Sequence, residues 1–150
     1  MKHYQSQIRD VCCGQNVTVV EPCNLYECVL DDDVFVGPFV EIQSQVKIGA
    51  RSRIQSHSFI CSLVEIGNDC FVGHGVMFVN DLFLEGHPSL SADQWKPTRI
   101  GHHVSIGSNA TILPVSICDH VVIGAGSVVT KDILSSGVYA GNPARKIRDL

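Results

Sequence analysis

At 150 residues the chain is long enough for one domain with a sizeable core and too short for two ordinary ones. Hydrophobic residues at 45% and charged residues at 17% exclude a disordered or low-complexity chain. A formal charge of -4 argues against binding to polyanions, where affinity rests on neutralising phosphates, so no nucleic-acid partner is expected.

The first ten residues, MKHYQSQIRD, carry no apolar run behind their charges and do not read as a secretion signal. No later stretch approaches the roughly 18 apolar residues of a membrane span, so the expectation is a cytoplasmic protein without a membrane partner. Seven cysteines, an odd number without a CxxC pair, read as reduced thiols used for packing.

From Leu30 onward every sixth residue is aliphatic: Leu30, Val36, Ile42, Ile48, Ile54, Ile60, Ile66 and Val72. Four residues after each comes a small or β-branched side chain: Val34, Val40, Val46, Ser52, Ser58, Val64, Cys70 and Val76. A six-residue period fits neither an amphipathic helix nor scattered hairpins. Each hexad reads as a short strand and a turn, and three hexads make one triangular coil whose aliphatic column only a stacked neighbour can bury. Glycine follows the aliphatic position at Gly37, Gly49, Gly67, Gly73, Gly101, Gly107 and Gly124. Glycine, acidic and amide residues such as Gly67, Asn68 and Asp69 are expected at corners that need positive φ or a capped turn.

The beat stops for about sixteen residues within VMFVNDLFLEGHPSLSADQWKPTRI, residues 76 to 100, and resumes at Ile100 and Ile106. It continues through Ile112, Ile117, Ile123 and Val129, with one five-residue step at LPVS, where Pro114 turns the chain. The predicted layout is a single domain: coils over about 16–79 and 99–133, a loop over 80–98, and a short tail over 134–150. A structureless loop of that length is uncommon unless functional or disordered, and its aromatic content, including the only tryptophan, Trp95, argues against disorder.

The hexapeptide beat, the run VVIGAGSVVTKDI at 121–133 and the tail YAGNPARKI at 139–147 resemble the hexapeptide-repeat acyltransferase family. The resemblance implies an all-β fold, a left-handed parallel β-helix, in a homotrimer with active sites between subunits. VTVVEPCNLY near the start, RIQSHSFIC at 53–61 and FVGHGVMFVND at 71–81 are similar to the subgroup that acetylates nucleotide-linked deoxyamino sugars, 3-amino sugars above all. That subgroup serves bacterial surface-polysaccharide (O-antigen) synthesis and uses acetyl-CoA as acyl donor.

The resemblance places the donor along the C-terminal coils. Gly107, Ala125 and Gly126 would let the pantetheine arm approach the backbone, Asn142 and Pro143 would lie near the adenine, and Lys131, Arg145, Lys146 and Arg148 would supply cations for its phosphates. Asn80, in FVND, matches an asparagine that contacts the sugar amine, and Asp81 and Trp95 are candidates to bind the acceptor. Each also has a purely structural reading as a turn or loop residue.

His74 is the first candidate for proton acceptor. It stands two residues past Val72, as Asn80 stands two past Phe78, and the pair is expected near one corner region. His57, seventeen residues before His74, is expected to stack beneath it. Three rival readings remain at this point: an O-acetyltransferase of a sugar or serine, a metal enzyme like the gamma-type carbonic anhydrases, and a non-enzymatic scaffold. The metal reading is disfavoured because it needs three converging histidines, whereas His102 and His103 are adjacent and should point apart, so no metal is expected.

Overall fold

Every aliphatic position of the beat points inward, and this one fact organises the protein. The structure, a computed structural model describing residues 8–150, buries all eight residues of the Leu30 to Val72 series to 4% exposure or less. Phe78 takes the next aliphatic place and is the largest fully buried side chain. The small-residue positions line the same interior. Where serine replaces valine there, its hydroxyl is satisfied: Ser52 donates to the Gly67 carbonyl at 2.8 Å and accepts from the Cys70 amide at 3.0 Å, and Ser58 donates to the Gly73 carbonyl at 2.8 Å.

The strands, two to four residues each, stack into three parallel sheets that form the faces of a prism. Sheet A has seven strands, from Ile8–Arg9 through Phe59–Ile60 and Met77–Phe78 to Val128–Val129. Sheet B has six, from Cys12–Cys13 through Lys47–Ile48 and Val64–Ile66 to Ser116–Ile117. Sheet C has eight, from Thr18–Val19 through Phe71–Val72 and Ser105–Ile106 to Arg145–Arg148. The chain visits the faces in the order A, B, C and repeats, as a left-handed parallel β-helix of about seven turns.

Partner residues lie eighteen apart in the middle coils, as at Phe59 and Met77, and seventeen apart at both ends, as at Thr18 and Phe35 or Ile106 and Ile123. The five-residue step at Pro114 produces the short register of the later coils, and a second short corner lies between Leu25 and Leu30. Val64 pairs with Thr98 across the loop, which therefore inserts without disturbing the stack.

The structure adds three details to that layout. The coils begin at Ile8–Arg9, not near residue 16. The tail is structured: Gly137–Ala140 runs parallel to Val121–Ile123, and Arg145–Arg148 folds back on it antiparallel, covering the end of the solenoid. The corner glycines are not the positive-φ residues. Those are the third residues of the turns, Asp33, Arg51, Asp69, His103 and His120 at one corner and Phe39, His57, Gly75, Asn109 and Gly126 at another. Gly67 is needed because a Cβ there would stand 2.5 Å from the Gly101 carbonyl oxygen of the next coil. Close backbone approach, not φ, selects glycine at that position.

Cys23, Cys28, Cys61 and Cys70 are buried and fit the packing role, whereas Cys12 and Cys13 are exposed and do not. Among the described residues they form no disulfide, and burial pushes the thiols of Cys28 and Cys61 up to about 11 and about 12.

Candidate functional site

A filled interior leaves the outer surface for chemistry, and the register says which residues share a corner of it. Val72 pairs with Ile106, and Ile106 with Ile123, so the residues two further on, His74, Ser108 and Ala125, stack in one column at the corner between sheets C and A. The His74 carbonyl accepts from the Asn109 amide at 2.8 Å and the Ser108 carbonyl from the Gly126 amide at 2.9 Å, which ties this ridge together coil by coil. Gly107 lies beside it, with room for no side chain: a Cβ would stand 2.5 Å from the Ala125 nitrogen. Above Gly126 the surface is open, since a Cβ there meets nothing within 4 Å.

Beneath His74 lies Ser56, not His57. The coil is eighteen residues long here, so the seventeen-residue offset of His57 puts it one position along the corner, beneath Gly75, where it stacks on Phe39 with ring centroids 4.9 Å apart. The Ser56 hydroxyl sits 2.9 Å from Nδ1 of His74. Ser56 is absent from the sequence-based candidates, although counting back eighteen residues from His74 finds it.

Asn80 is not on this ridge. A six-residue step carries the chain along sheet A to the next corner, and only a full coil returns to the first. His74 and Asn80 therefore flank strand Met77–Phe78 on two different corners, up to ~20 Å apart along an extended hexad. The expected shared corner is overturned. Asn80 belongs to the corner between sheets A and B, in a column with Ser44 and Ser62. Its amide Nδ2 donates to the Ser62 carbonyl at 3.2 Å and its own carbonyl accepts from the Lys96 amide at 2.9 Å, closing the neck of the loop. That arrangement leaves Oδ1 of a half-buried amide turned to neither bond.

Asp81 organises the loop. One carboxylate oxygen accepts from the Phe83 amide and the Ser89 hydroxyl, both at 2.9 Å, and the other from the Ser89 amide at 2.7 Å. Those bonds, the Ser89 amide first, hold its carboxyl below the usual range. Ser91 caps a short 3-10 turn at Ala92–Gln94, which the half-buried Trp95 ends. Leu84 and Leu90 stand out from the loop at 78% and 90% exposure, apolar surface that nothing in this chain covers.

The cationic candidates gather at the other end. Lys131, Arg145 and Lys146, with Tyr139 and Ala144, line a concavity of about 250 Å³ beside the last coil. Lys146 is held by Asp149 at 2.7 Å, which leaves Lys131 and Arg145 as the cations of this concavity without an ion-pair partner among the described residues, with Asp132 also in its lining. The turn at Asn142 and Pro143, with a cis bond between them, docks on the ridge's own coil: the Gly141 carbonyl accepts from the Val128 amide at 2.9 Å and the Ala144 amide donates to the Val128 carbonyl at 2.8 Å.

The remaining histidines go elsewhere. Nδ1 of His102 accepts from the Asn68 amide at 3.0 Å, while His103 stacks on His120 with centroids 4.9 Å apart. Among the described residues no three His, Cys, Asp or Glu side chains are placed to hold a metal.

Comparison with known proteins agrees with this architecture. Residues 27–62 match the model of the bacterial transferase hexapeptide, six repeats, and residues 97–131 match the model of the hexapeptide repeat of succinyl-transferase. The bifunctional protein GlmU of Pediococcus pentosaceus is 29% identical over 161 residues, covering 94% of this chain and 32% of that protein. The GlmU of Rubrobacter xylanophilus is 36% identical over 121 residues, covering 81% and 24%. The chain thus spans a third or less of these curated relatives. Among solved structures, a mutant of AntD, an N-acyltransferase from Bacillus cereus in complex with dTDP and coenzyme A, superposes with a TM-score of 0.80 at 21% identity, covering 92% of this chain and 83% of that one. A mutant of the Caulobacter crescentus perosamine N-acetyltransferase, in complex with CoA and GDP-perosamine, gives 0.70 at 21% identity, covering 96% and 58%. A maltose O-acetyltransferase from Clostridium difficile gives 0.57 at 24% identity, covering 95% and 71%. These likenesses establish the fold.

Proposed function

We propose, from hexapeptide-repeat matches over residues 27–62 and 97–131, an acetyl-CoA-dependent N-acetyltransferase acting on the amino group of a nucleotide-linked deoxyamino sugar, with a 3-amino sugar favoured, in cytoplasmic synthesis of surface polysaccharide. The observation that carries the reading is the ridge itself: His74, Ser108 and Ala125 stand in register beside bare backbone, and the Lys131 and Arg145 shelf lies at the same C-terminal end of the solenoid, with Lys131 one corner on in the Asn80 column. A pantetheine arm needs bare backbone to approach, and its phosphates need unpaired cations. The C-terminal coils offer both. AntD and the perosamine enzyme, crystallised with coenzyme A and with dTDP or GDP-perosamine, lend the substrate class.

The acceptor half of the site comes from a second copy in this reading. Sheet A is flanked by the His74 ridge on one side and the Asn80 neck on the other, so a closed three-fold ring with sheet A toward its axis brings one copy's ridge against the next copy's neck. Along the last four strands of sheet A the outward side chains Phe59, Met77, Thr111 and Val128 are uncharged, with Met77 40% exposed, and Glu41 on the strand before them is the nearest charge. Sheet B instead carries the charged ladder Lys47, Glu65 and Arg99, which suits a face left in water. The exposed Leu84 and Leu90 of the loop find their cover on the neighbour.

The chemistry asked of the protein is modest. An amine with a pKa near ~8 is partly neutral at physiological pH and attacks the thioester carbonyl directly. Asn80 Oδ1 accepts a hydrogen bond from the amine and orients its lone pair. His74 takes the extra proton after the C–N bond forms, and the departing coenzyme A thiolate is protonated as the C–S bond breaks. Positioning supplies most of the acceleration. Incubation with acetyl-CoA and a panel of nucleotide amino sugars, read by mass spectrometry, tests the reading: a mass gain of one acetyl group on at least one 3-amino sugar is expected, and no transfer to any member would refute it.

A further inference from the structure

Resting on that reading, we infer that Ser56 sets the class of acceptor, amine rather than hydroxyl, by acting as the positioning residue of His74. The geometry is pre-organised on both sides. The Ser56 carbonyl accepts from the Gly75 amide at 3.0 Å, the His74 carbonyl accepts from the Asn109 amide at 2.8 Å, and between these two fixed backbones the Ser56 hydroxyl meets Nδ1 at 2.9 Å. Among the described residues Ser56 is the one side chain bonded to that ring. The neighbours of the pair along the corner are neutral or remote from the ring: His57 stacks on Phe39, and the column above continues with Ser108 and Ala125.

A proton acceptor on this ridge must use Nε2, because Nδ1 is engaged. Nε2 has a lone pair only in the tautomer whose Nδ1–H donates to the Ser56 oxygen. When Nε2 takes a proton, the imidazolium that forms is supported by a neutral hydroxyl. A carboxylate in the same place would supply a charge-assisted bond of roughly twice the strength. The difference decides which acceptors react. A neutral amine attacks without help and sheds its proton afterwards, so a weakly supported base suffices. A sugar hydroxyl must lose its proton to the base while it attacks, a step that calls on the full general-base contribution of about 10² to 10⁴-fold. Serine at position 56 thus lets N-acetylation proceed and leaves hydroxyls on the same sugar untouched, which matters for an acceptor whose hydroxyls outnumber its amine.

The test uses the full chain, and two readouts separate this inference from the function it rests on. In protein with ¹⁵N-labelled histidine rings, with the His74 signal assigned by its loss in His74→Ala, wild type is expected to show the Nδ1–H tautomer and Ser56→Ala a mixture of both. This measurement needs no substrate. In acetyl-transfer assays with a nucleotide amino sugar and its hydroxyl analogue, Ser56→Asp is expected to raise the hydroxyl-to-amine rate ratio by about tenfold or more, and Ser56→Ala to lower the amine rate without restoring hydroxyl transfer. Thermal unfolding of each variant confirms folding. A wild-type ring in the Nε2–H tautomer, or a rate ratio unchanged in a folded Ser56→Asp, overturns the inference. The expected tautomer together with no transfer to any amino sugar refutes the acetyltransferase reading and leaves the positioning geometry standing.

Discussion

Substituting Gly101 by alanine probes the coil-to-coil spacing on which every register argument above depends. A Cβ on Gly101 would stand 2.7 Å from the Asp119 nitrogen and 2.9 Å from the Cys118 carbonyl carbon, and would also meet the Asp119 carboxylate. Reaching ordinary contact needs the two coils to part by about 0.7 Å, which strains two bonds at the same place: Gly101 N–H to the Ile117 carbonyl at 2.8 Å and His102 N–H to the Asp119 carboxylate at 2.7 Å. Overpacking of this kind costs about 1–3 kcal/mol and weakening a hydrogen bond about 1 kcal/mol, so Gly101→Ala is expected to lose about 2–4 kcal/mol. Gly86 is the control. Its φ is +79° and a Cβ there meets nothing within 4 Å, so alanine suffers only the left-handed backbone penalty of about 1 kcal/mol. The assay is urea and thermal unfolding of both variants at one protein concentration, which holds any contribution from association constant. Equal losses at the two positions would refute the claim that close backbone approach selects the corner glycines.

Four further outcomes follow from the same geometry. Phe78→Ala empties the largest fully buried side chain and should cost about 3–5 kcal/mol in the same unfolding assay. Lys131→Ala and Arg145→Ala should each raise KM for acetyl-CoA with little change in kcat, whereas Lys146→Ala, already paired with Asp149, should change it least. His74→Ala should reduce amine acetylation by only about tenfold, because an amine acceptor needs little base; a near-total loss in a folded variant would point to a hydroxyl acceptor instead. Asp81 has its carboxyl lowered in the folded state, so its hold on the loop is fully present above the unfolded value of about 3.9 and is lost as pH falls through the lower folded one. Protection factors for the Phe83 and Ser89 amides should therefore hold from neutral pH to about pH 4 and drop only below it, while Asp81→Asn should lower them throughout.

What was legible in the chain was whatever repeats within it. The aliphatic and small-residue columns, the short step at Pro114 and the size of the loop follow from the six-residue period, because burial in a narrow prism restricts those positions to a few side chains. The first coil was hidden: its column residues Ile8, Cys13 and Val19 are five and six residues apart, and a cysteine stands where the beat has leucine, isoleucine or valine. The tail strands Gly137–Ala140 and Arg145–Arg148 were hidden too, since they carry no six-residue beat: the first pairs with Val121–Ile123 and the second folds back on the first, with Tyr139 and Ala144 packed on the core. The site was read residue by residue and assembled wrongly. His74 and Asn80 share a hexad position, but equivalence in the hexad is not equivalence in space, because six residues turn the chain by one corner and eighteen bring it back. The same arithmetic, one residue out, chose His57 where Ser56 lies.

The central claim is that acetyl transfer takes place where the ridge of one copy meets the loop neck of the next. Ala125→Trp fills the ridge and Asn80→Ala removes the amine contact, so each variant alone should be inactive. Refolded together in equal amounts, they should recover about a quarter of wild-type acetyl transfer to a nucleotide amino sugar, the fraction of sites that pair an intact ridge with an intact neck in a randomly mixed three-fold ring. A mixture no more active than its two components would contradict the account.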